Sequence, residues 1–110
     1  MSGERVYEAV SAVMPCAHLA WRVGSVPPLP WCVYYLDEMD GYAADNRLHT
    51  RRNRWIVEHY YKEHDAELTA ALEGALEQEF GAFKTTGEMW VDDEKCYETA
   101  YYFTEIEKEN

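Results

Sequence analysis

Four histidines, His18, His49, His59 and His64, are the side chains of this 110-residue chain whose chemistry would suit proton transfer or metal binding near neutral pH. A zinc site needs ligands that converge at a recognised spacing, such as the paired histidines of HExxH. His59 and His64 are five apart across the end of a strand-like stretch and do not share a face. His59 alternates with Val57 and Tyr61, which reads as a buried neutral imidazole donating to a carbonyl. The acidic groups Asp92/Asp93/Glu94 and Glu77/Glu79 supply carboxylates, but general acid–base work needs a cleft and a shifted pKa, and charge runs at turns are ordinarily solvated. No Gly-rich phosphate loop, nucleophile elbow or Cys/His/Asn pattern is present. The expectation is a protein with no catalytic residues, no metal and no cofactor, and not an enzyme. The rival reading, a small enzyme using His49, His59 or His64 with nearby carboxylates, requires those side chains to meet in one cleft.

Cys16, Cys32 and Cys96 are odd in number and lack CxxC spacing, which points to free thiols in a reducing cytoplasm. Cys32 lies inside an apolar run, where a small buried thiol is the ordinary role. The remaining cluster is basic: Arg51, Arg52 and Arg54, in a chain of net charge −11. That balance argues against a dedicated binder of nucleic-acid phosphates. It favours salt bridging between subunits, because like subunits this acidic repel unless opposite patches meet. The acidic candidates for such a contact are Asp37, Glu38 and Asp40 on one segment and Asp92, Asp93 and Glu94 on another, with Tyr42 or Trp55 as an apolar anchor.

The elements that position these residues follow from hydrophobic period. Arg54 to Tyr61 is β-branched and aromatic without Gly or Pro, and reads as a long strand. The period then changes: Asp65 can cap a helix, Leu68, Leu72, Leu76 and Phe80 recur every fourth residue, and Gly81 stops it. The leucine stripe needs a sheet to cover. Ahead of these, Ser2 to Met14 reads as a helix with Val6, Val10 and Val13 on one face, ended by Pro15. His18 to Val23 alternates as a first strand, and the proline-rich residues 24–30 form an extended connection. Trp31 to Leu36 is a second strand apolar on both faces, so both faces are expected to be covered, one of them by helices. Asp37 to Asn46 reads as a loop and Lys84 to Gly87 as a turn. Met89 to Val91 begins a fourth strand, and Tyr97 to Ile106 is a fifth, with Tyr97, Thr99, Tyr101 and Phe103 on one face. The order α-β-β-β-α-β-β gives a single α+β domain over 1–110, with a mostly antiparallel sheet of four to five strands packed by two helices. No apolar run reaches the roughly 18 residues of a membrane span, and no signal peptide opens the chain. Nine Tyr and four Trp are unusually dense; much of this can be core, and it also suits a sizeable partner surface.

The runs Leu29-Pro30-Trp31-Cys32-Val33-Tyr34-Tyr35, Ala44-Asp45-Asn46 and Val57-Glu58-His59-Tyr60-Tyr61-Lys62 with Asp65, the helix from Glu67 to Leu76, and the ending Trp90 to Tyr97 with Tyr101-Tyr102-Phe103 together resemble the small tail-completion proteins of long-tailed phages and prophages. The resemblance runs from about Ala17 to Ile106 and departs from the family pattern at His59, where an aliphatic residue is expected. It implies a tail terminator, or head–tail joining protein: a structural virion assembly protein forming a hexameric ring at the head-proximal end of the tail tube. The implied partners are other copies of the chain, the tail tube protein and the head–tail connector protein, with DNA passing through the lumen without sequence-specific binding. The implied location is the virion, at the head–tail interface, after assembly in the bacterial host cytoplasm. An acidic lumen would repel DNA and keep it from sticking. A head–connector adaptor is the neighbouring alternative, and a peptide-binding module using an exposed edge strand is a further rival.

Overall fold

A computed structural model of the chain describes the backbone of residues 2–44 and 47–108 and the side chains of residues 3–37 and 51–107. Two helices and five strands follow in the expected order: α1 (Ser2–Ser11), β1 (Cys16–His18), β2 (Trp31–Ala44), β3 (Arg47–Tyr61), α2 (Ala66–Phe80), β4 (Phe83–Val91) and β5 (Cys96–Lys108). The strands form one sheet in the order β1-β2-β3-β5-β4. All pairs are antiparallel except β1 with β2.

Alternation along the central strands sorts the sheet into two faces. Asn53, Trp55, Val57, His59 and Tyr61 of β3 stand opposite Glu105, Phe103, Tyr101, Thr99 and Tyr97 of β5, and these lie on the face that carries both helices. Val6 and Val10 of α1 and Leu72 and Leu76 of α2 are fully buried there with Cys32, Tyr34, Trp55, Val57, Tyr101 and Phe103. Leu68 and Phe80 complete the stripe at the margin of that cluster. Asp65 caps α2 by accepting from the Leu68 amide at 3.0 Å, and Gly81 closes it at φ 86°, its amide donating to the Glu77 carbonyl. Both caps stand where the sequence puts them.

Three boundaries differ from the sequence reading. The first strand is only Cys16–His18, because Leu19 takes a positive φ of 67° and turns the chain out of the sheet. Trp21 and Val23 therefore do not extend it; residues 19–30, with a cis Leu29–Pro30 bond, fold back over the helix-free face. The expected loop from Asp37 is instead strand: β2 continues to Ala44, paired with β3 through register shifts at Leu36/Glu38 and Tyr42/Ala43. Asp37 falls at the first of these shifts, while Asp40 and Gly41 are paired in register with Arg52 and Arg51. Lys84 to Gly87 likewise lies within β4, where Gly87 at φ 80° sits in a bulge and the Ala100 amide donates to Thr86 Oγ1. The expectation that both faces of Trp31–Leu36 are covered holds: Cys32 and Tyr34 lie under the helices, and Val33 is buried on the other face.

Candidate functional site

β2, β3 and β5 run together beyond β1 and β4, with β5 paired to β3 as far as Thr50. β1 covers β2 only from Cys32 to Tyr34, so from Tyr35 onward that edge of β2 has no strand partner among the described residues. The result is an arm on an elongated molecule with principal extents of 51 × 29 × 23 Å. Arg51, Arg52 and Arg54 lie on this arm. Arg52 and Arg54 are exposed and alternate with Ile56, Glu58 and Tyr60 on the helix-free face. Arg51 falls on the helix face, in a cavity of about 890 Å³ with Tyr7, Tyr34, Trp55 and Glu107.

The acidic candidates separate. In the strand register Glu38 stands opposite Arg54 and Asp40 opposite Arg52 in the same chain. Opposite charges at directly opposed positions favour a hairpin register. The side chains of Glu38 and Asp40, with those of Tyr42 and His49, lie outside the described residues. Asp37 is exposed beside Arg54 in a second cavity with Tyr102 and Lys84. Trp55 is no surface anchor. It is 4% exposed and belongs to the core, its Nε1 donating to Glu105 Oε1 at 3.1 Å. Asp92, Asp93 and Glu94 form the exposed β4–β5 turn at the opposite end of the sheet. Asp92 is engaged locally, by Lys95 Nζ at 3.2 Å and Trp90 Nε1 at 3.4 Å.

The histidines do not assemble into one cleft. His49 and His59 share β3, and the ten residues between them span about 33 Å of strand. His59 and His64 both approach Tyr61, with ring centroids 4.6 and 6.3 Å from it. His64 Nδ1 lies 2.9 Å from Glu88 Oε2, which also accepts from the Tyr61 hydroxyl at 2.6 Å; Thr99 Oγ1 is 2.8 Å from the same hydroxyl. Tyr101 donates to Glu73 at 2.8 Å across a cavity these residues line together. Burial pushes Tyr61 up to about 12 and His59 down to about 4, both away from neutral pH. His59 is 2% exposed, as the alternation implies, but neither ring nitrogen has a partner among the described residues, so the expected hydrogen bond to a carbonyl is not made. Burial also raises all three free thiols, Cys16 to about 11, which leaves them protonated and unreactive. Among the described residues no group of three or more His, Cys, Asp or Glu side chains has metal-binding geometry.

Two clusters escape single-sequence reading, because each depends on strand register. On the helix side, the buried Glu105 carboxylate accepts from Asn53 Nδ2 and Trp55 Nε1, both at 3.1 Å, and pairs with Arg5 of α1 at 3.4 Å. Arg5 also holds Glu79 of α2 at 2.8 Å and lies over the Phe80 ring, so one guanidinium joins both helices to the sheet. On the helix-free face, Glu58 accepts from the Tyr35 hydroxyl at 2.7 Å and the Tyr60 hydroxyl at 3.0 Å. Burial, the Glu58 charge and a hydrogen bond with Glu58 hold the neighbouring Glu98 above the usual carboxylate range.

Beside Glu58 the returning loop leaves a cavity of about 470 Å³ walled by Trp21, Trp31 and Tyr60, floored by Val33, with Glu58 and Glu94 as its carboxylates. Trp21 and Trp31 meet edge to face at 5.8 Å, and Trp31 and Tyr60 lie 4.9 Å apart. Compared with known proteins, the chain matches no family model and no curated sequence.

Proposed function

We propose that this chain is a structural subunit that assembles head-to-tail into a ring, of the tail-terminator kind its sequence resembles, at the head-proximal end of a phage tail tube. The observation that carries the reading is the separation of opposite surfaces along one elongated chain. Exposed Arg52 and Arg54 sit on the arm of β2, β3 and β5, and the Asp93/Glu94 turn lies at the far end of the same sheet. From Arg52 to Tyr60, eight residues of β3, the strand covers about 26 Å, so the arm cannot reach that turn within its own chain. Two different, complementary patches are what a head-to-tail contact requires. Docking to the tube and connector, and passage of DNA through an acidic lumen, belong to the same proposal.

Its test is charge reversal on the arm. Arg52→Glu with Arg54→Glu is expected to leave the circular dichroism spectrum unchanged, because exposed charges add little to fold stability. The double variant is expected to dissociate at concentrations where the unaltered chain is assembled, as measured by light scattering. Identical masses over the same concentration range would remove the arginines from the interface.

A further inference from the structure

We propose that the sulfurs of Met14, Cys16 and Cys32 form a binding site for one soft, thiophilic metal ion, and that Cu(I) is the ion they fit.

Three segments bring the sulfurs together. After α1 the Pro15 carbonyl accepts from the Cys32 amide at 2.9 Å, which holds the run Met14-Pro15-Cys16 beside the start of β2. Cys16 of β1 then stands directly opposite Cys32 of β2 in the parallel register. Directly paired residues of neighbouring strands project from the same face of a sheet. Here it is the face under the helices, where Met14, Cys16 and Cys32 are all part of the buried core. The Cys32 thiol donates to Met14 Sδ at 3.4 Å. The Cys16 thiol makes a longer contact, to the Tyr7 carbonyl at 3.9 Å.

Two thiols and a thioether are a donor set without nitrogen or oxygen, and soft sulfur donors of this kind select Cu(I) over harder divalent ions. A d10 ion such as zinc bonds thiolate sulfur at about 2.3 Å, so three sulfurs in one plane around such an ion stand roughly 4 Å apart. Cys32 and Met14 are already within 3.4 Å, and the unbranched Met14 side chain can open that gap by turning about its own bonds. Thioether sulfur is a weak acceptor, so little is lost when the ion takes the place of the Cys32 proton. Burial keeps both thiols protonated in the metal-free chain. The ion displaces those protons as it binds and brings the positive charge that thiolates require inside a core. β1 is an edge strand, and Cys16 and Met14 keep 7% and 5% of their surface exposed, so the ion enters from that side of the sheet. The site has only two members of the His, Cys, Asp and Glu set, its third donor being a methionine. The spacings that signal zinc in a sequence do not describe it, because its two cysteines meet through strand register.

The test is anaerobic titration of the purified, reduced chain with Cu(I) buffered by the chromophoric chelator bicinchoninate. The chain is expected to draw one Cu(I) per molecule from the chelator, with a sulfur-only coordination shell in X-ray absorption. Thiols that merely fill the core would draw none. Met14→Leu keeps the volume and apolar character of its site and should bind at least about tenfold more weakly. Cys16→Ala and Cys32→Ala should each abolish uptake, with circular dichroism confirming the fold. Cys96 lies on β5, with two strands between it and β1, so Cys96→Ala should bind as the unaltered chain does. No uptake by the unaltered chain overturns the site, as does uptake that Cys96→Ala removes or that Met14→Leu leaves unchanged. Every reading is made on the single chain, so failure here leaves the ring proposal untouched.

Discussion

His59 and Glu105 show how single buried groups set the chain's response to pH and substitution. Burial lowers His59 from 6.5 to about 4, against a smaller opposing effect of the Asp65 charge. Between those values the unfolded chain holds a proton that the folded chain refuses, so stability rises with pH across that window and falls as the solution is acidified. The full effect is about 3 kcal/mol. Glu98, held above its usual range, slopes the other way, which is why a comparison isolates the histidine. In denaturant unfolding, the unaltered chain should lose about 2 kcal/mol more than His59→Leu between pH 7 and pH 4.5; parallel losses would place the imidazole in contact with water. Glu105 is 1% exposed and depends on Arg5 for its countercharge. Arg5→Met should cost about 2 kcal/mol, since it strips a charged hydrogen-bond partner from a buried carboxylate. A change below about 0.5 kcal/mol would mean Asn53 and Trp55 suffice to hold that carboxylate.

At the scale of elements, the test falls on the leucine stripe and the β4 bulge. Leu72 is fully buried between α2 and the sheet, so Leu72→Ala should cost about 2–5 kcal/mol, read from the unfolding midpoint. Gly87→Ala meets no atom within 4 Å, so its cost is the positive φ alone, about 1 kcal/mol; no loss would mean the bulge rearranges freely. Helix α2 was legible because its period, its Asp65 cap and its Gly81 stop all speak within fifteen residues. The long arm was not. Asp37, Asp40 and Gly41 carry loop propensity, and the strand here is decided by pairing with β3, Asp40 with Arg52 and Gly41 with Arg51, ten or more positions away. The brevity of β1 had no local signal either, since Leu19, Trp21 and Val23 alternate as a strand would, and the chain leaves the sheet at Leu19. The same limit hid the sites. The arginine cluster is contiguous and was visible, whereas Glu105 with Arg5, and Glu58 with Tyr35, are far apart in sequence and meet only through register and packing.

For the whole molecule, the proposed function requires that copies of this chain associate through different surfaces into a closed ring. Charge makes that demanding, because subunits of net charge −11 repel unless basic and acidic patches are brought together. Arg52 and Arg54 lie at the opposite end of the sheet from the Asp93/Glu94 turn, and such a pair of patches can close around a six-fold ring or between two copies related by a two-fold axis. Oligomer mass separates these. Native mass spectrometry of the purified chain across a range of concentrations is the most direct measurement. The expected result is a dominant species at six times the 12.9 kDa chain mass, dissociating as salt is raised because screening weakens the charged contacts. A species that never exceeds one or two chains at any concentration would contradict it.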